Sequence, residues 1–355
     1  MCSRLDLPGG IERAVVNTAN LFAAKGHNVT LLVLDEASQS FYPIRPEVKV
    51  EQHPLSFGIT REGNVITRKI RLLSDVLSLR RLMRRLQPGL LIATEYPFSV
   101  TAILSGARRF CKVVSWEHHH YHELKRSAFW NSLFKMAYPK LHAVVCLNSD
   151  EQKLFEQVNS NPVVIPNFID ANPPGRHDTK TILTIARLTP VKGIDYLLKV
   201  AKEILTLNPG WTWKLIGGGE LKEKVLQFIE QEGLTDKLIL QLPVNHDVLS
   251  EYQHAAIYVM TSLNECFPMV LLEAQSVGLP CVAFDCETGP RHIINQENGA
   301  LAENGNTDKL HFYIRSMILN DSIRKKLGEG ALANSQRYSP ENVYTMWQEK
   351  VFSLL

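Results

Sequence analysis

The stretch IYVMTSLNECFPMVLLEAQSVGLPCVAFDCETGP, residues 257–290, places a helical pattern between two short β-type runs. The first run, IYVMTS, and the last, CVAFD (281–285), have the length and aliphatic content of buried strands. Between them, Pro268 suits the first position of a helix and Gly278 suits the left-handed position after its end, so we predict a helix over 268–277. Two strands joined by a helix form a right-handed crossover in a parallel sheet.

The same alternation of strand and helix continues along the whole chain. In the first half, strands are predicted at residues 27–34, 89–96, 111–118 and 141–148. In the second half, strands are predicted at residues 180–186, 211–217, 237–243, 257–262 and 281–285. The segment 161–180 interrupts this rhythm with four prolines and polar residues, which is typical of an interdomain linker.

These patterns predict an α/β protein of two doubly wound, Rossmann-like domains that face each other across a cleft. We expect an N-terminal domain over 1–165, a C-terminal domain over 166–338 and a final helix over 339–355 that returns to the first domain. Only a short segment precedes Gly9 and Gly10, where a Rossmann-like half normally begins with a buried strand. That first strand is therefore expected to be truncated or reduced to a stub.

Composition places the chain among globular proteins. Of its 355 residues, 45% are hydrophobic and 21% are charged, and no apolar run reaches the roughly 20 residues of a membrane-spanning helix. The first ten residues lack the apolar core of a secretory signal. The six cysteines form no CxxC pair, which indicates reduced thiols and a cytoplasmic location.

The net charge of +3 conceals a basic first half, with much of the excess in TRKIRLLSDVLSLRRLMRRL, residues 67–86. Four aliphatic positions fit a helical stripe, and four arginines crowd one end: Ile70, Leu73, Leu77 and Leu86, followed by Arg80, Arg81, Arg84 and Arg85. A basic amphipathic helix of this kind can lie on an anionic membrane surface. The alternative is an ordinary surface helix with a solvated basic face.

Two carboxylates in the quoted stretch predict a site for a nucleotide-sugar. Glu265 would lie in the loop after a strand, and Glu273 on the second turn of the following helix. The backbone N–H groups of Met269 and Val270 would open that helix and suit a diphosphate. One carboxylate would then accept from sugar hydroxyls and the other from a ribose diol. Taken alone, the two residues could also be a capping and a surface glutamate.

Two cations follow a strand in IARLTPVKG, residues 185–193. Arg187 would lie at the end of the strand and Lys192 just before a helix, both over the same edge of the sheet. Cations aimed at a departing diphosphate stabilise the negative charge that develops in the transition state. Taken alone, they could be a solvated surface pair.

The ordered set R-x4-K-G and E-x-F-P-x4-E, with VIPNFID before it and FDCETGP after it, resembles the retaining family-4 glycosyltransferases of the GT-B fold. The resemblance extends over nearly the whole chain. It implies that the donor binds mainly to the C-terminal domain, with Arg187 and Lys192 on the diphosphate, Glu273 on the ribose and Glu265 on the sugar. Further donor-binding positions implied by it are Gly9, Gly10, Gly217, Gly218, Cys266, Phe267, Pro268, Met269 and Val270. The sequence departs from the family's common pattern at Gly218, Pro243 and Cys266.

The stretch SWEHHHYHEL, residues 115–124, follows a predicted strand of the first domain. The resemblance implies that His118 is the family's functional histidine, which hydrogen-bonds the transferred sugar and helps position the acceptor. Two alternatives are a zinc site formed by His118 and His122, and a solvent-facing histidine run without a role.

The expected activity is transfer of a hexose or N-acetylhexosamine from a nucleotide-sugar, most simply a UDP-sugar, with retention at the anomeric carbon. The acceptor would be a glycan or a lipid-linked glycan, bound mainly by the N-terminal domain. No metal or other cofactor and no nucleic acid are expected, and the enzyme would be cytoplasmic or peripheral on the inner face of the plasma membrane. The alternatives are a GT-B nucleotide-sugar epimerase and a non-catalytic nucleotide-sugar-binding subunit.

Overall fold

The computed structural model of the protein describes residues 1–7, 9–34, 39–55, 65–123, 126–242 and 248–355, and the side chains of 65–69 are not among the described atoms. The departure at Pro243 therefore lies outside the described residues. The chain divides into two compact units. Unit 1 comprises residues 1–167 and 340–355, and unit 2 comprises residues 168–339.

Helices and strands largely alternate along both units. Up to residue 167 they are α1 (Gly10–Ala24), β1 (Thr30–Val33), β2 (Lys49–Gln52), α2 (Val65–Leu86), β3 (Leu90–Thr94), α3 (Tyr96–Leu104), β4 (Lys112–Trp116), α4 (Ala128–Ala137), β5 (Ala143–Cys146), α5 (Ser149–Phe155) and β6 (Pro162–Val164). From residue 168 they are β7 (Thr181–Ile185), α6 (Ile194–Leu207), β8 (Thr212–Ile216), α7 (Lys222–Gln231), β9 (Leu238–Gln241), α8 (Val248–Gln253), β10 (Ile257–Met260), α9 (Met269–Ser276), β11 (Cys281–Asp285), β12 (Gly299–Glu303), α10 (Thr307–Leu319), α11 (Asp321–Ser335) and α12 (Pro340–Lys350). Every strand pairing among the described residues is parallel.

Unit 1 contains the pair β1-β2 and the sheet β3-β4-β5-β6. Met1 and Cys2 lie between them and hydrogen-bond to both. The N–H of Cys2 donates to Leu32 O at 3.0 Å, and the N–H of Thr94 donates to Met1 O at 3.0 Å. Cys2 also forms an isolated parallel bridge with Val33, and the buried side chains of Met1 and Cys2 add to the core of the unit.

Helix α12 belongs to unit 1, where it packs against α1. Trp347 is 1% exposed and lies edge-on to Phe22, with ring centroids 5.4 Å apart, and edge-on to Trp116 at 5.5 Å. The ammonium group of Lys25 also pairs with Glu341. A residue of β4 is thus packed against a helix from the far end of the chain.

The sheet of unit 2 has the order β12-β11-β10-β7-β8-β9. The first strand in sequence, β7, lies at the middle, and the order reverses between β7 and β10. In doubly wound sheets, ligands bind at such a reversal, beyond the carboxyl ends of the strands. Alternate residues of the strands, on one face of the sheet, form a hydrophobic core with α6, α7 and α10, and Trp213 in this core is fully buried.

Three strands were not predicted from the sequence. β6 lies at the start of the segment interpreted as a linker, so that interpretation is wrong for Pro162–Val164, because Val163 and Val164 pair with β5. β2 is largely exposed and polar, and β12 is built mainly from Gly, Ala and Glu, which are poor strand formers. Among the described residues, no helix combines the length and the apolar content needed to cross a bilayer.

Candidate active site

The candidate site of unit 2 is built from the loops that follow β7 and β10 at the reversal of strand order. These strands pair directly, with Ile182 opposite Ile257 and Leu183 opposite Tyr258. Their carboxyl ends therefore emerge side by side. The predicted site residues Arg187 and Lys192 follow one strand, and Glu265 follows the other.

A tight turn over residues 190–192 holds Lys192 against the loop after β10. Gly193 ends the turn with φ of +63°, and a Cβ there would lie 2.0 Å from Thr261 O. Thr261 Oγ1 donates to Lys192 O at 3.0 Å, and the N–H of Leu263 donates to Val191 O at 2.8 Å. Only glycine permits this close approach, because any side chain would clash with backbone at a left-handed conformation.

The ammonium group of Lys192 lies 2.5 Å from Glu265 Oε1, and the two side chains are 18% and 16% exposed. The structure thus brings together two residues that the sequence assigns to one site, 73 positions apart. Each charge is stabilised by the other in a partly dry environment.

Arg187 is exposed, and its loop is fastened to the loop after β8. The N–H of Leu188 donates to Gly218 O at 2.8 Å, and a Cβ at Gly217 would lie 1.8 Å from Ala186 O. The predicted donor-binding residues Gly217 and Gly218 therefore pack against the backbone of the Arg187 loop. Their positions fix the height of that loop above the sheet.

The loop that carries Glu265 is held on its other side by the segment after β11. The N–H groups of Thr288 and Gly289 donate to Glu265 O at 3.0 and 2.8 Å, and the N–H of Glu265 donates to Glu287 O at 3.2 Å. A Cβ at Gly289 would lie 2.8 Å from Glu265 O and 2.7 Å from Pro268 Cδ. The ETG segment of the FDCETGP motif therefore fixes the backbone that leads into α9.

Helix α9 begins one residue later than predicted. Pro268 is the N-cap rather than the first helical residue, because its ψ of 108° is extended. Its carbonyl accepts from Leu271 N at 3.1 Å, and Gly278 ends the helix with φ of +79°, as its position predicted. Met269 and Val270 form the first turn, where N–H groups have no acceptor inside the helix.

The side chains of the predicted donor-binding residues Cys266, Phe267 and Met269 are buried, which leaves their backbone groups for contact with a ligand. Cys266 is not among the described non-glycine residues with positive φ, which are Gln87 and Glu95. The replacement of the family's common glycine by cysteine is therefore compatible with the loop. Phe267 packs edge-on to Tyr338 with centroids 5.7 Å apart, which anchors the loop in the core of unit 2.

Glu273 lies on the second turn of α9 and has a partner that the sequence did not indicate. Tyr252 OH donates to Glu273 Oε2 at 2.7 Å, and Tyr252 is 1% exposed. The hydrogen bond fixes the carboxylate relative to α8.

In unit 1, the stretch after β4 is mostly buried. His118 and His120 are 8% and 3% exposed, which rules out a solvent-facing run, although His119 is half-exposed. His118 packs on Trp116 with ring centroids 4.4 Å apart, and its buried Nε2 has no hydrogen-bond partner among the described residues. Burial, reinforced by the nearby His119, lowers the pKa of His118 to about 3, so the ring is neutral near pH 7.

The remaining histidines do not support the alternative of a zinc site at His118 and His122. His120 Nδ1 pairs with the buried carboxylate of Glu151, which also accepts from Tyr121 N at 3.0 Å. His118 and His122 do not lie on a helix, so their spacing does not place them on one face. No group of three or more metal-ligating side chains is found in the part of the chain that the structure describes.

Glu95 is a residue of unit 1 that the sequence did not single out. It follows β3 with φ of +82°, a conformation that residues with a Cβ rarely adopt, and its N–H donates to Trp116 O at 3.2 Å. Its carboxylate lies 4.0 Å from His119 Nε2. Burial, with smaller contributions from Glu117 and Glu12, raises the pKa of Glu95 to about 7.

Gly9 and Gly10 lie at the start of α1 in unit 1. Gly9 is the N-cap with extended φ and ψ of −97° and 159°, and Gly10 is the first helical residue. A Cβ at Gly9 would meet the carboxylate of Glu12 at 2.0 Å. Small size at this position therefore leaves room for an acidic side chain at the helix's amino end.

Three further residues of unit 2 position this site: Gly193, Gly289 and Tyr252. Gly193 and Gly289 were visible in the sequence as parts of motifs. The structure shows why glycine is required there, since the backbones of distant loops approach closely at both positions. Tyr252 gave no signal, since a tyrosine on an amphipathic helix is typical of ordinary core packing.

The GT-B class of glycosyltransferase fold consists of two Rossmann-like units with parallel sheets. This chain has that fold, and several solved structures are similar to it. The Anabaena protein HepE in complex with UDP is 18% identical, with a TM-score of 0.80 over 99% of this chain and 98% of that chain. The lipopolysaccharide outer core galactosyltransferase WaaB is 19% identical, with a TM-score of 0.78 over the same shares.

Sequence comparison gives the family. The model for Glycosyltransferase Family 4 matches residues 8–172, and the model for Glycosyl transferases group 1 matches residues 167–333. An uncharacterized glycosyltransferase of Haemophilus influenzae is 26% identical over 348 residues, which cover 96% of this chain and 95% of the relative. The chain belongs to the group 1 glycosyltransferases of the GT-B fold.

Proposed function

We propose that the protein is a retaining glycosyltransferase that moves a hexose or an N-acetylhexosamine from a UDP-sugar to a hydroxyl of a glycan or lipid-linked acceptor. The observation that carries this proposal is the ion pair of Lys192 and Glu265 at the reversal of strand order in unit 2, on the loops that lead into α6 and α9. The UDP complex of HepE, which shares the fold, supports a uridine diphosphate donor.

The donor's diphosphate would bind Lys192, Arg187 and the first-turn N–H groups of α9. When the bond between the anomeric carbon and the phosphate oxygen breaks, its electron pair stays on the diphosphate. The acceptor oxygen forms the new bond to the anomeric carbon, and its proton passes to the departing diphosphate. Lys192 and Arg187 then stabilise the added negative charge. Glu265, relieved of part of its pairing with Lys192, accepts hydrogen bonds from the sugar hydroxyls, and Glu273 accepts from the ribose.

Unit 1 would bind the acceptor. His118 offers a neutral imidazole with an unpartnered Nε2, which suits a hydrogen bond to the transferred sugar. The lipopolysaccharide outer core named for WaaB supports a surface glycan as the acceptor class. Such acceptors are built at membranes, so we place the enzyme in the cytoplasm with peripheral attachment to the inner face of the plasma membrane.

The proposal includes no metal or other cofactor, because Lys192, Arg187 and the amino end of α9 supply positive potential for the diphosphate. Donor turnover is therefore expected to be the same after treatment with EDTA. A loss of turnover that Mg²⁺ or Mn²⁺ restores would contradict this part.

The decisive experiment compares Lys192→Ala with Lys202→Ala in donor turnover, using a panel of UDP- and GDP-sugars. Lys202 forms a comparable pair with Glu232 at 2.6 Å, but its side chain is 50% exposed on the surface of unit 2. We expect Lys192→Ala to lower kcat by about 100-fold or more and Lys202→Ala to leave it unchanged. Equal turnover by both variants would overturn the leaving-group role.

The anomeric configuration of the product, read by NMR, tests retention. Formation of an epimerised nucleotide-sugar without acceptor would instead identify an epimerase, and tight UDP-sugar binding without turnover would identify a binding subunit.

A further inference from the structure

Helix α2 of unit 1 has apolar residues on two opposite faces. The inward face is formed by Leu79, Leu82 and Met83, which are at most 4% exposed and belong to the core of the unit. The predicted stripe of Ile70, Leu73, Leu77 and Leu86 is therefore wrong as a single face, because Leu86 packs against the core. The other three do not lie on the inward face. These side chains are 63%, 61% and 46% exposed.

The outward face continues from apolar to basic along the helix. Steps of three or four residues keep side chains on one face, so Ile70, Leu73 and Leu77 share it with Arg81 and Arg84, flanked by Arg80. Arg81 and Arg84 are exposed and Arg80 is half-buried. Single exposed aliphatic side chains are common on proteins, but three on consecutive turns form a continuous stripe.

The charges of this face are available to a ligand. Arg85, to one side, pairs with Glu51, and Arg84 lies 5.9 Å from the centre of the Phe110 ring. Arg80 and Arg81 form no ion pair within the described part of the chain. An apolar stripe continued by arginines complements a lipid surface, in which the acyl chains are apolar and the headgroups are anionic.

We propose that the outward face of α2 docks on an anionic lipid surface. Ile70, Leu73 and Leu77 enter the boundary between headgroups and acyl chains, and Arg80, Arg81 and Arg84 contact lipid phosphates. The long arginine side chains reach the headgroups while their methylene stems cover apolar surface. The inference rests on the proposed function only in that a lipid-linked acceptor requires the enzyme at a membrane.

Flotation of the full-length protein with vesicles tests the proposal. The vesicles are phosphatidylcholine alone or phosphatidylcholine mixed with phosphatidylglycerol, each at low and high salt. The variants are the apolar triple I70Q/L73Q/L77Q, the basic triple R80Q/R81Q/R84Q and a control triple L207Q/F312Q/L319Q. The control residues are 58%, 60% and 68% exposed and belong to unit 2.

The unmodified protein and the control triple are expected to float with anionic vesicles and not with phosphatidylcholine alone. The basic triple is expected to weaken partitioning by about 100-fold at low salt. The apolar triple is expected to weaken binding to anionic vesicles at both salt concentrations, since insertion of the apolar stripe adds to the electrostatic attraction. A tryptophan introduced as Leu73→Trp should show a blue-shifted emission when anionic vesicles are added.

Several results would overturn the proposal. They are failure of the unmodified protein to float, equal loss in the control triple, and a dimer in solution that the apolar triple makes monomeric, which would show that a second copy covers the face. None of the altered residues belongs to the proposed donor site. Transfer to a water-soluble acceptor should therefore be unchanged in every variant, and its absence from the unmodified protein would contradict the proposed function instead.

Discussion

Tyr252 OH donates to Glu273 Oε2 at 2.7 Å, from a side chain that is almost completely buried. This hydrogen bond holds one carboxylate oxygen of the residue that we assign to the donor's ribose. Tyr252→Phe is expected to raise the KM for the nucleotide-sugar by about 5-fold, which corresponds to the loss of one hydrogen bond of about 1 kcal/mol. The kcat should change by less than about 2-fold, since ribose binding is equal in ground and transition states.

Tyr313→Phe is the control for the loss of a hydroxyl, since Tyr313 lies on α10 of the same unit. Steady-state kinetics with varied donor would separate KM from kcat. A fall in kcat with unchanged KM would contradict ribose binding by Glu273.

Gly193 and Gly233 have nearly equal left-handed backbones, with φ of +63° and +62°, but different surroundings. A Cβ at Gly193 would lie 2.0 Å from Thr261 O, whereas a Cβ at Gly233 would have nothing within 4 Å. Both Ala variants should lose about 1 to 2 kcal/mol of stability from the positive φ. Only Gly193→Ala should also displace Lys192 and reduce turnover.

Chemical denaturation gives the free energy of unfolding of both variants, and donor turnover gives the effect on the site. If Gly233→Ala reduced turnover as strongly as Gly193→Ala, the loss would reflect general destabilisation rather than displacement of Lys192.

Much of unit 2 could be predicted from the sequence because its site follows directly from local patterns. Lys192 and Glu265 each follow a clear strand, and parallel strands bring their carboxyl ends to one edge of a sheet. The sequence could not show that the two side chains form an ion pair, because their separation depends on the turn ended by Gly193. Tyr252 was missed because its partner lies 21 residues away and its residue type is typical of core packing.

Unit 1 was less predictable for a physical reason. The burial of His118 depends on Trp116, which in turn packs against Trp347 from the far end of the chain, and no local pattern reports such a contact. The helical spacing of Ile70, Leu73 and Leu77, which form the exposed stripe on α2, was visible in the sequence. Which of its two apolar faces enters the core could be decided only by the fold, since both have helical spacing.

The raised pKa of Glu95 predicts a stability that falls with increasing pH. Its folded pKa of about 7 exceeds the ordinary value of 4.5, so the folded state retains a proton that the unfolded chain releases. The contribution to stability is full below about pH 4.5 and is lost as the pH rises through 7. Glu95→Gln should therefore be more stable than the unmodified protein at pH 8, by about 2 to 3 kcal/mol, and similar to it near pH 4.5.

Thermal or chemical unfolding between pH 5 and pH 8 would measure this difference, with Glu297→Gln as a control at an exposed carboxylate. The glutamine keeps a Cβ, so the backbone conformation at φ of +82° is the same in both proteins. A difference that does not grow with pH would show that Glu95 ionises normally in the folded protein.

The lowered pKa of His118 has the opposite consequence. Its folded pKa of about 3 lies below the ordinary value of 6.5, so between these values the unfolded chain binds a proton that the folded state excludes. Stability should therefore fall as the pH decreases from 6.5 toward 3, and His118→Asn should reduce that acid dependence. His254→Asn, at an exposed ring that hydrogen-bonds to Ser250 O, is the control.

An NMR titration should show the Cε1–H signal of His118 at its neutral position down to pH 5, and kcat should show no ionisation from this ring between pH 5.5 and 8. A His118 signal that titrates near pH 6.5 would mean that the imidazole is solvated, and its role as a neutral hydrogen-bonding group toward the sugar would fail.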